Sequence, residues 1–323
     1  MYLFDVAPES AELLYRGMRA VALADGAETA KERALLEVAR DALGPGHLAG
    51  AADALTPLSV EELSHAAAGL SERDRERIVQ AMLFMALMDG EGSPEEAKLV
   101  SDVAARLQVD EPRVKNLAQL ASGRLAFMQW DLTRRGYAKE ELLRTAKEEG
   151  LRGLYRTFGP LVGLATNHRT AKRYNDLGML PEGTLGRAYW HFIVDNNLSF
   201  PGESHAVAER GTWHDLSHVL GGYPITPVGE STVVAFIAGY RKEDPFFWLF
   251  TIALQFQVGL RISPFSPGVR DQVDPKEFMR HHARGAALRR DISEGWDFWA
   301  DFPRPLAELR RELNVLPLEE IRA

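Results

Sequence analysis

Apolar and polar residues along this 323-residue chain never alternate over the length of a strand. Evenly spaced short apolar runs and hairpin Asn-Gly pairs are missing as well. The pattern predicts an all-α fold. Its clearest unit is repeated within the first third: "VALADGAETAKERALLEVARDAL" (21–43) returns as "MALMDGEGSPEEAKLVSDVAARL" (85–107). Each copy reads as helix, Asp-Gly turn, acidic helix start, helix. Gly26 and Gly90 suit a helix C-terminus that needs a left-handed residue. Ser93, Pro94 and the acids after them suit the start of the next helix. A polar, mostly helical bridge follows over 128–150, more helix over 151–163, an irregular polar patch over 166–186, and then further helices.

The run "PFFWLFTIALQFQVGLRI" (245–262) is interrupted by Gln255 and Gln257. It falls short of the about 20 apolar residues that a bilayer span needs. A buried core or dimer helix is the simplest reading. A sharper one makes it the wall of a pocket for a long apolar ligand, with Phe247, Phe250 and Leu254 facing the ligand.

Charge divides the chain. Residues 1–125 hold 13 Lys+Arg against 21 Asp+Glu, whereas the remainder holds 25 of each. All the excess acidity belongs to the N-terminal third, and without a basic stripe a nucleic-acid partner is not expected. With no Cys, disulfides, thiolate zinc sites and thiol nucleophiles are excluded together. No basic stretch followed by an apolar run suggests a secretory leader, so a cytoplasmic location is expected.

The candidate chemistry lies in "TWHDLSHVLGGYPITPVGES" (212–231). His214 and His218, four apart, share one helix face, the spacing that lets two imidazoles reach one metal. Asp215 sits about 100° round the axis and can offer an oxygen from the side, or act as a general base. "GGYP" ends the helix, and a second helix is expected to start near 230 with Glu230 in its first turn. That returns a carboxylate toward the imidazoles. Two His with one or two carboxylates and an open position is the donor set of a catalytic site. It suits Zn²⁺, and also Fe²⁺, Mn²⁺ or Co²⁺. Arg187 in "GTLGRAYW" is a candidate for meeting a substrate carboxylate or phosphate. His191 and His205 read as structural, and His281-His282 as a polar helix face.

The stretch "HDLSHVLGGYPITPVGE", in which eleven residues separate His218 from Glu230, resembles the HDxxH-x11-E motif of the Coq4 family of ubiquinone-biosynthesis proteins. "LGMLPEGTLGRAYWHFI" (177–193) and "WDFWADFPRPLAELRRELNV" (296–315) resemble segments on either side of that motif. Ser217 departs from the pattern, where a bulkier residue is usual. The resemblance implies a metal-dependent, oxidative or non-oxidative, removal of the C1 carboxylate from a prenylated aromatic acid. It also implies an isoprenoid partner, peripheral membrane contact and neighbouring quinone-biosynthesis proteins. A scaffold that presents such a lipid to partner enzymes is the alternative, and a homodimer is compatible with either. The duplicated N-terminal third resembles a TerB-like (tellurite-resistance) domain. That likeness implies a second metal at the acidic turns, where the matching residues are Asp25, Glu28 and Glu32, then Asp89, Glu91, Glu95 and Glu96, with Asp25, Glu28, Asp89 and Glu91 as the foremost candidates. The expected division is therefore 1–125, TerB-like, and 126–323, Coq4-like.

Overall fold

The computed structural model describes residues 1–26, 28–48, 59–66, 69–135, 147, 166–262 and 267–321. Most of the expected bridge, and all of the helix expected over 151–163, lie outside these residues. The fold is all-α, with no strand among the described residues. In the N-terminal part α1 (Pro8–Ala22), α2 (Ala30–Leu43) and α3 (Val60–Ala66) are followed by α4 (Glu72–Met85), α5 (Pro94–Leu107), α6 (Pro112–Ala121) and α7 (Leu125–Arg135). Then come α8 (His168–Asn175), α9 (Leu185–Asp195), α10 (Thr212–Gly221), α11 (Pro227–Tyr240) and α12 (Pro245–Phe256). The chain closes with α13 (Pro275–Ala286), α14 (Phe298–Asp301) and α15 (Leu306–Leu313).

The duplicated sequence folds as a duplicated device. Thr29 and Ser93 cap α2 and α5, and in each case the acid three residues on, Glu32 or Glu96, returns its carboxylate to the capping residue's own N–H. Two exposed donors are satisfied at each helix start by one pair of side chains. The same pairing carries Glu32 and Glu96 into the interior, where both are buried. Helix α7 packs on α6 by burying Met128 and Leu132, and Asn116 donates to Asp131 at 3.0 Å.

The first third does not stand apart from the rest. One hydrophobic core runs from Leu14 and Met82 through to Phe236 and Phe278, and the Phe84 and Phe278 rings stack at 5.4 Å. Polar clamps reinforce the join. Gln257 donates to the Met88 carbonyl at 2.8 Å, Arg270 to that of Gly90 at 3.0 Å, and Arg113 grips Asp244 through two bonds of 2.7 Å.

Helix α12 ends at Phe256 rather than running on to 262. Gly259 takes φ +86°, Val258 bridges to Arg270, and the Gln257 amide is committed to the Met88 carbonyl. Phe250 and Leu254 are fully buried in the core. Among the described residues no helix is long and apolar enough to cross a membrane.

His281 and His282 do not form a polar face, because both are buried. Neutral rings explain how they can be. His282 Nδ1 donates to the Ala235 carbonyl at 3.1 Å while its Nε2 accepts from the Leu3 N–H at 3.1 Å, and burial lowers it to about 3.

Helices α11 and α13 form the closest helix pair, and glycine makes the approach possible. A Cβ at Gly285 would overlap the Phe236 carbonyl, and one at Gly239 the His282 carbonyl. Because neither backbone can retreat without disturbing a packed core, Gly285→Ala is expected to lower the unfolding free energy by about 1–3 kcal/mol. Urea denaturation measures this, and an unchanged midpoint would contradict the packing described.

Candidate metal centre

Helix α10 sets the two imidazoles. Residues four apart stack one turn above the other, and the His214 and His218 ring centroids lie 5.1 Å apart. Phe192 of α9 lies along the far face of His218, with centroids at 5.2 Å and planes within 30°. Ser217, between the two histidines, turns away from them. Its hydroxyl donates to the Trp213 carbonyl at 2.8 Å and meets the Tyr240 hydroxyl at 2.9 Å. A bulky residue there would displace Tyr240.

The chain then reverses. His218 O accepts from both Gly222 N–H and Tyr223 N–H, with Gly222 in the left-handed region at φ 75°. Helix α11 starts at Pro227, earlier than expected, because Thr226 caps it by accepting from Gly229 N–H at 3.1 Å. Glu230 still falls in the first turn, where the positive helix end favours a carboxylate. Its two oxygens divide between the rings: Oε2 lies 3.6 Å from His214 Nε2 and Oε1 3.5 Å from His218 Nε2. One donor atom from each of the three side chains lies within 4.8 Å of the others.

The tautomer of His218 fits metal binding. Its Nδ1 meets the Tyr223 carbonyl at 3.1 Å, so the proton sits on Nδ1 and the Nε2 lone pair faces Glu230. Burial, helped by the neighbouring His214, lowers His218 to about 4, which keeps the ring neutral as a ligand must be. For His214, burial acts downward, but the Glu230 carboxylate and the Asp215 charge outweigh it and raise the imidazole. Burial would raise Glu230, yet the two imidazoles hold it below the usual carboxylate range. The His218 side chain is 2% exposed, against 30% for His214 and 21% for Glu230. The donor set is therefore closed at His218 and open at the other two.

Asp215 stands outside this trio, beside the buried Tyr189. Burial, with some help from the Glu230 charge and against the pull of His214, pushes its carboxyl up to about 6. Arg187 is occupied elsewhere. It pairs with Glu182 at 2.8 Å, donates to the Gly178 carbonyl and lies over the Trp190 ring. Phe250 and Leu254 are core residues and Phe247 is half-buried, so none of the three is shown facing the centre. Tyr223 and Phe192, which hold His218, had no signal in the sequence beyond ordinary turn and core chemistry.

Three of the acids at the N-terminal turns also converge. Asp25 and Asp89 meet Glu96, with donor oxygens within 4.8 Å of one another. Glu28 instead pairs with Arg33 at 2.7 Å, and Glu91 is exposed. Glu96 is fully buried, and while Oε2 accepts from Ser93 N–H at 2.7 Å, its Oε1 has no partner. Burial pushes this carboxyl up to about 8, with the Asp89 and Glu32 charges adding to the rise.

Comparison of the chain with models of known protein families gives no match, and a search of curated proteins gives none either. The likeness to Coq4 and TerB-like proteins therefore rests on the residues quoted above.

Proposed function

We propose that the protein is a divalent-metal-dependent enzyme that removes a carboxylate from an aromatic acid, with His214, His218 and Glu230 as the metal ligands. The supporting observation is the trio itself, two imidazole Nε2 atoms facing one carboxylate, one ring fixed in the metal-binding tautomer and one side open. The motif likeness to Coq4 supplies the substrate class, a prenylated hydroxybenzoic acid. A bound divalent ion would act as a Lewis acid toward the phenol or carboxylate oxygens. Zn²⁺, Fe²⁺, Mn²⁺ and Co²⁺ all suit nitrogen and oxygen donors of this kind.

The chain's own residues then have separate tasks. His218 stays neutral because of burial and the neighbouring His214, while the Tyr223 carbonyl fixes its proton on Nδ1. Asp215, on the same helix as the two histidines and with its carboxyl pushed up to about 6 by burial, would serve as the general acid or base. Loss of CO₂ leaves an electron pair on the ring carbon, which takes a proton. When dioxygen and a two-electron donor are co-substrates, one oxygen atom enters at that carbon as a hydroxyl and the other leaves as water, and the product mass distinguishes the two courses. Purified protein is expected to release CO₂ from a prenylated hydroxybenzoate. Tight binding of that lipid without conversion would favour the scaffold reading.

Elemental analysis separates the roles of the four residues. His218→Ala and Glu230→Ala are expected to lose the transition metal. Asp215→Asn is expected to retain it while turnover falls by about 10²–10⁴-fold. Full metal occupancy in His218→Ala would sink the assignment.

We further propose that Asp25, Asp89 and Glu96 hold a hard cation of the Mg²⁺, Ca²⁺ or Mn²⁺ kind, which all-oxygen donors favour. The unpartnered Glu96 Oε1 supports this, because a buried carboxylate oxygen without a partner is costly unless a cation meets it. Added Ca²⁺ is expected to raise the melting temperature of the wild type and leave Glu96→Gln unmoved. In chelator above pH 8, Glu96→Gln is expected to be the more stable of the two. The raised folded-state pKa means that stability falls as pH climbs from the unfolded value toward about 8. Equal responses of both proteins to the cation would contradict the site.

A further inference from the structure

Helix α10 ends in the interior, and its last carbonyls are met in an unusual way. An α-helix leaves four C-terminal C=O groups without intrahelical partners. Here His218 O takes the N–H groups of Gly222 and Tyr223. The next three are taken by arginines from other helices. Arg310 of α15 donates through Nη2 to Val219 O at 3.0 Å and through Nε to Leu220 O at 2.9 Å. Arg284 of α13 donates through Nη1 to Gly221 O at 2.7 Å. Arg284 is 5% exposed, and both guanidiniums donate to backbone carbonyls at the negative end of α10. Two cations at a helix C-terminus are favoured by the macrodipole.

Tyr223 links this clamp to the metal centre. Its hydroxyl accepts from Arg284 Nη1 at 2.9 Å and donates to His281 Nδ1 at 3.1 Å, while its carbonyl accepts from His218 Nδ1. The two ends of one residue thus join a buried guanidinium to a ligand imidazole. Gly221 adds a steric limit, since a Cβ there would overlap the Tyr223 ring.

We propose that Arg284, Arg310 and Tyr223 are positioning residues for the metal centre: they hold the end of α10 and the Tyr223 carbonyl so that His218 keeps its proton on Nδ1 and offers Nε2 to the metal. The inference rests on the reading of His214, His218 and Glu230 as ligands. Hydrogen-bond partners behind a ligand histidine typically govern metal affinity by 10–100-fold.

The informative variant is Tyr223→Phe, which removes the hydroxyl and leaves the carbonyl and the ring. Two readouts apply: Co²⁺ or Zn²⁺ affinity against a competing chelator, and the nitrogen-15 shifts of His218 in metal-free protein, which report the tautomer. Wild type is expected to show His218 protonated on Nδ1 alone. Tyr223→Phe is expected to show both tautomers and metal affinity weaker by about 10-fold or more, with unchanged helix content. Arg310→Lys keeps a charge at the helix end but cannot reach both carbonyls in the same fork, so it is expected to shift affinity in the same direction. Wild-type protein with His218 protonated on Nε2 overturns the proposal without any variant. So does Tyr223→Phe with wild-type affinity and tautomer. Wild type that binds no metal while its His218 carries the proton on Nδ1 overturns the ligand reading instead.

Discussion

Placing one carboxylate between two imidazoles on a single helix face is the constraint on which the C-terminal part of this structure depends. A buried acid is expensive unless opposite charge or donors meet it. Glu230 is returned to His214 and His218 by a turn whose parts are each forced: a left-handed Gly222, a Thr226 cap, and a helix start that favours the acid's charge. The surrounding packing keeps that turn in place. Gly239 and Gly285 let α11 and α13 touch backbone to backbone, and α13 in turn carries the arginine that meets the end of α10.

The two clusters of acids and histidines share one construction. In the N-terminal part a capping box sends Glu96 inward from a helix start; in the C-terminal part Glu230 occupies the first turn of α11. Helix N-termini favour carboxylates, which offsets part of the burial cost at both places, although Glu96 is still pushed up to about 8. The donors differ, and with them the cations that would suit. Oxygen alone favours hard ions, whereas imidazole nitrogens admit zinc, iron and cobalt. The N-terminal turns also abut the C-terminal part, through the Arg270 bond to Gly90 and the Gln257 bond to Met88. A cation bound between Asp25 and Asp89 would therefore stiffen the surface on which the C-terminal helices rest.

Much of this was legible in the residues. The all-helical class followed from the lack of alternation, and the His214–His218–Glu230 set from spacing across a glycine-proline turn. What could not be read depends on distant neighbours. Spacing placed Asp215 on the ligand helix, but only the packing of Tyr189 shows it lying outside the trio. The acids of the N-terminal turns looked alike in sequence, and burial selects Glu96 over Glu28 and Glu91. His281 and His282 sat in a polar-looking stretch, yet hydrogen bonds from Tyr223 and Leu3 make burial tolerable. Arg284 and Arg310 gave no signal, since their partners are backbone carbonyls that any sequence provides.

The central claim is that two imidazoles and one carboxylate hold a divalent transition metal. X-ray absorption at the metal edge of the purified protein tests this directly, because imidazole rings leave an outer-shell scattering pattern that carboxylates and water do not. The expected spectrum shows a nitrogen and oxygen shell with the ring pattern of two histidines. A metal shell of oxygen alone, or protein that takes up no transition metal, would contradict the claim.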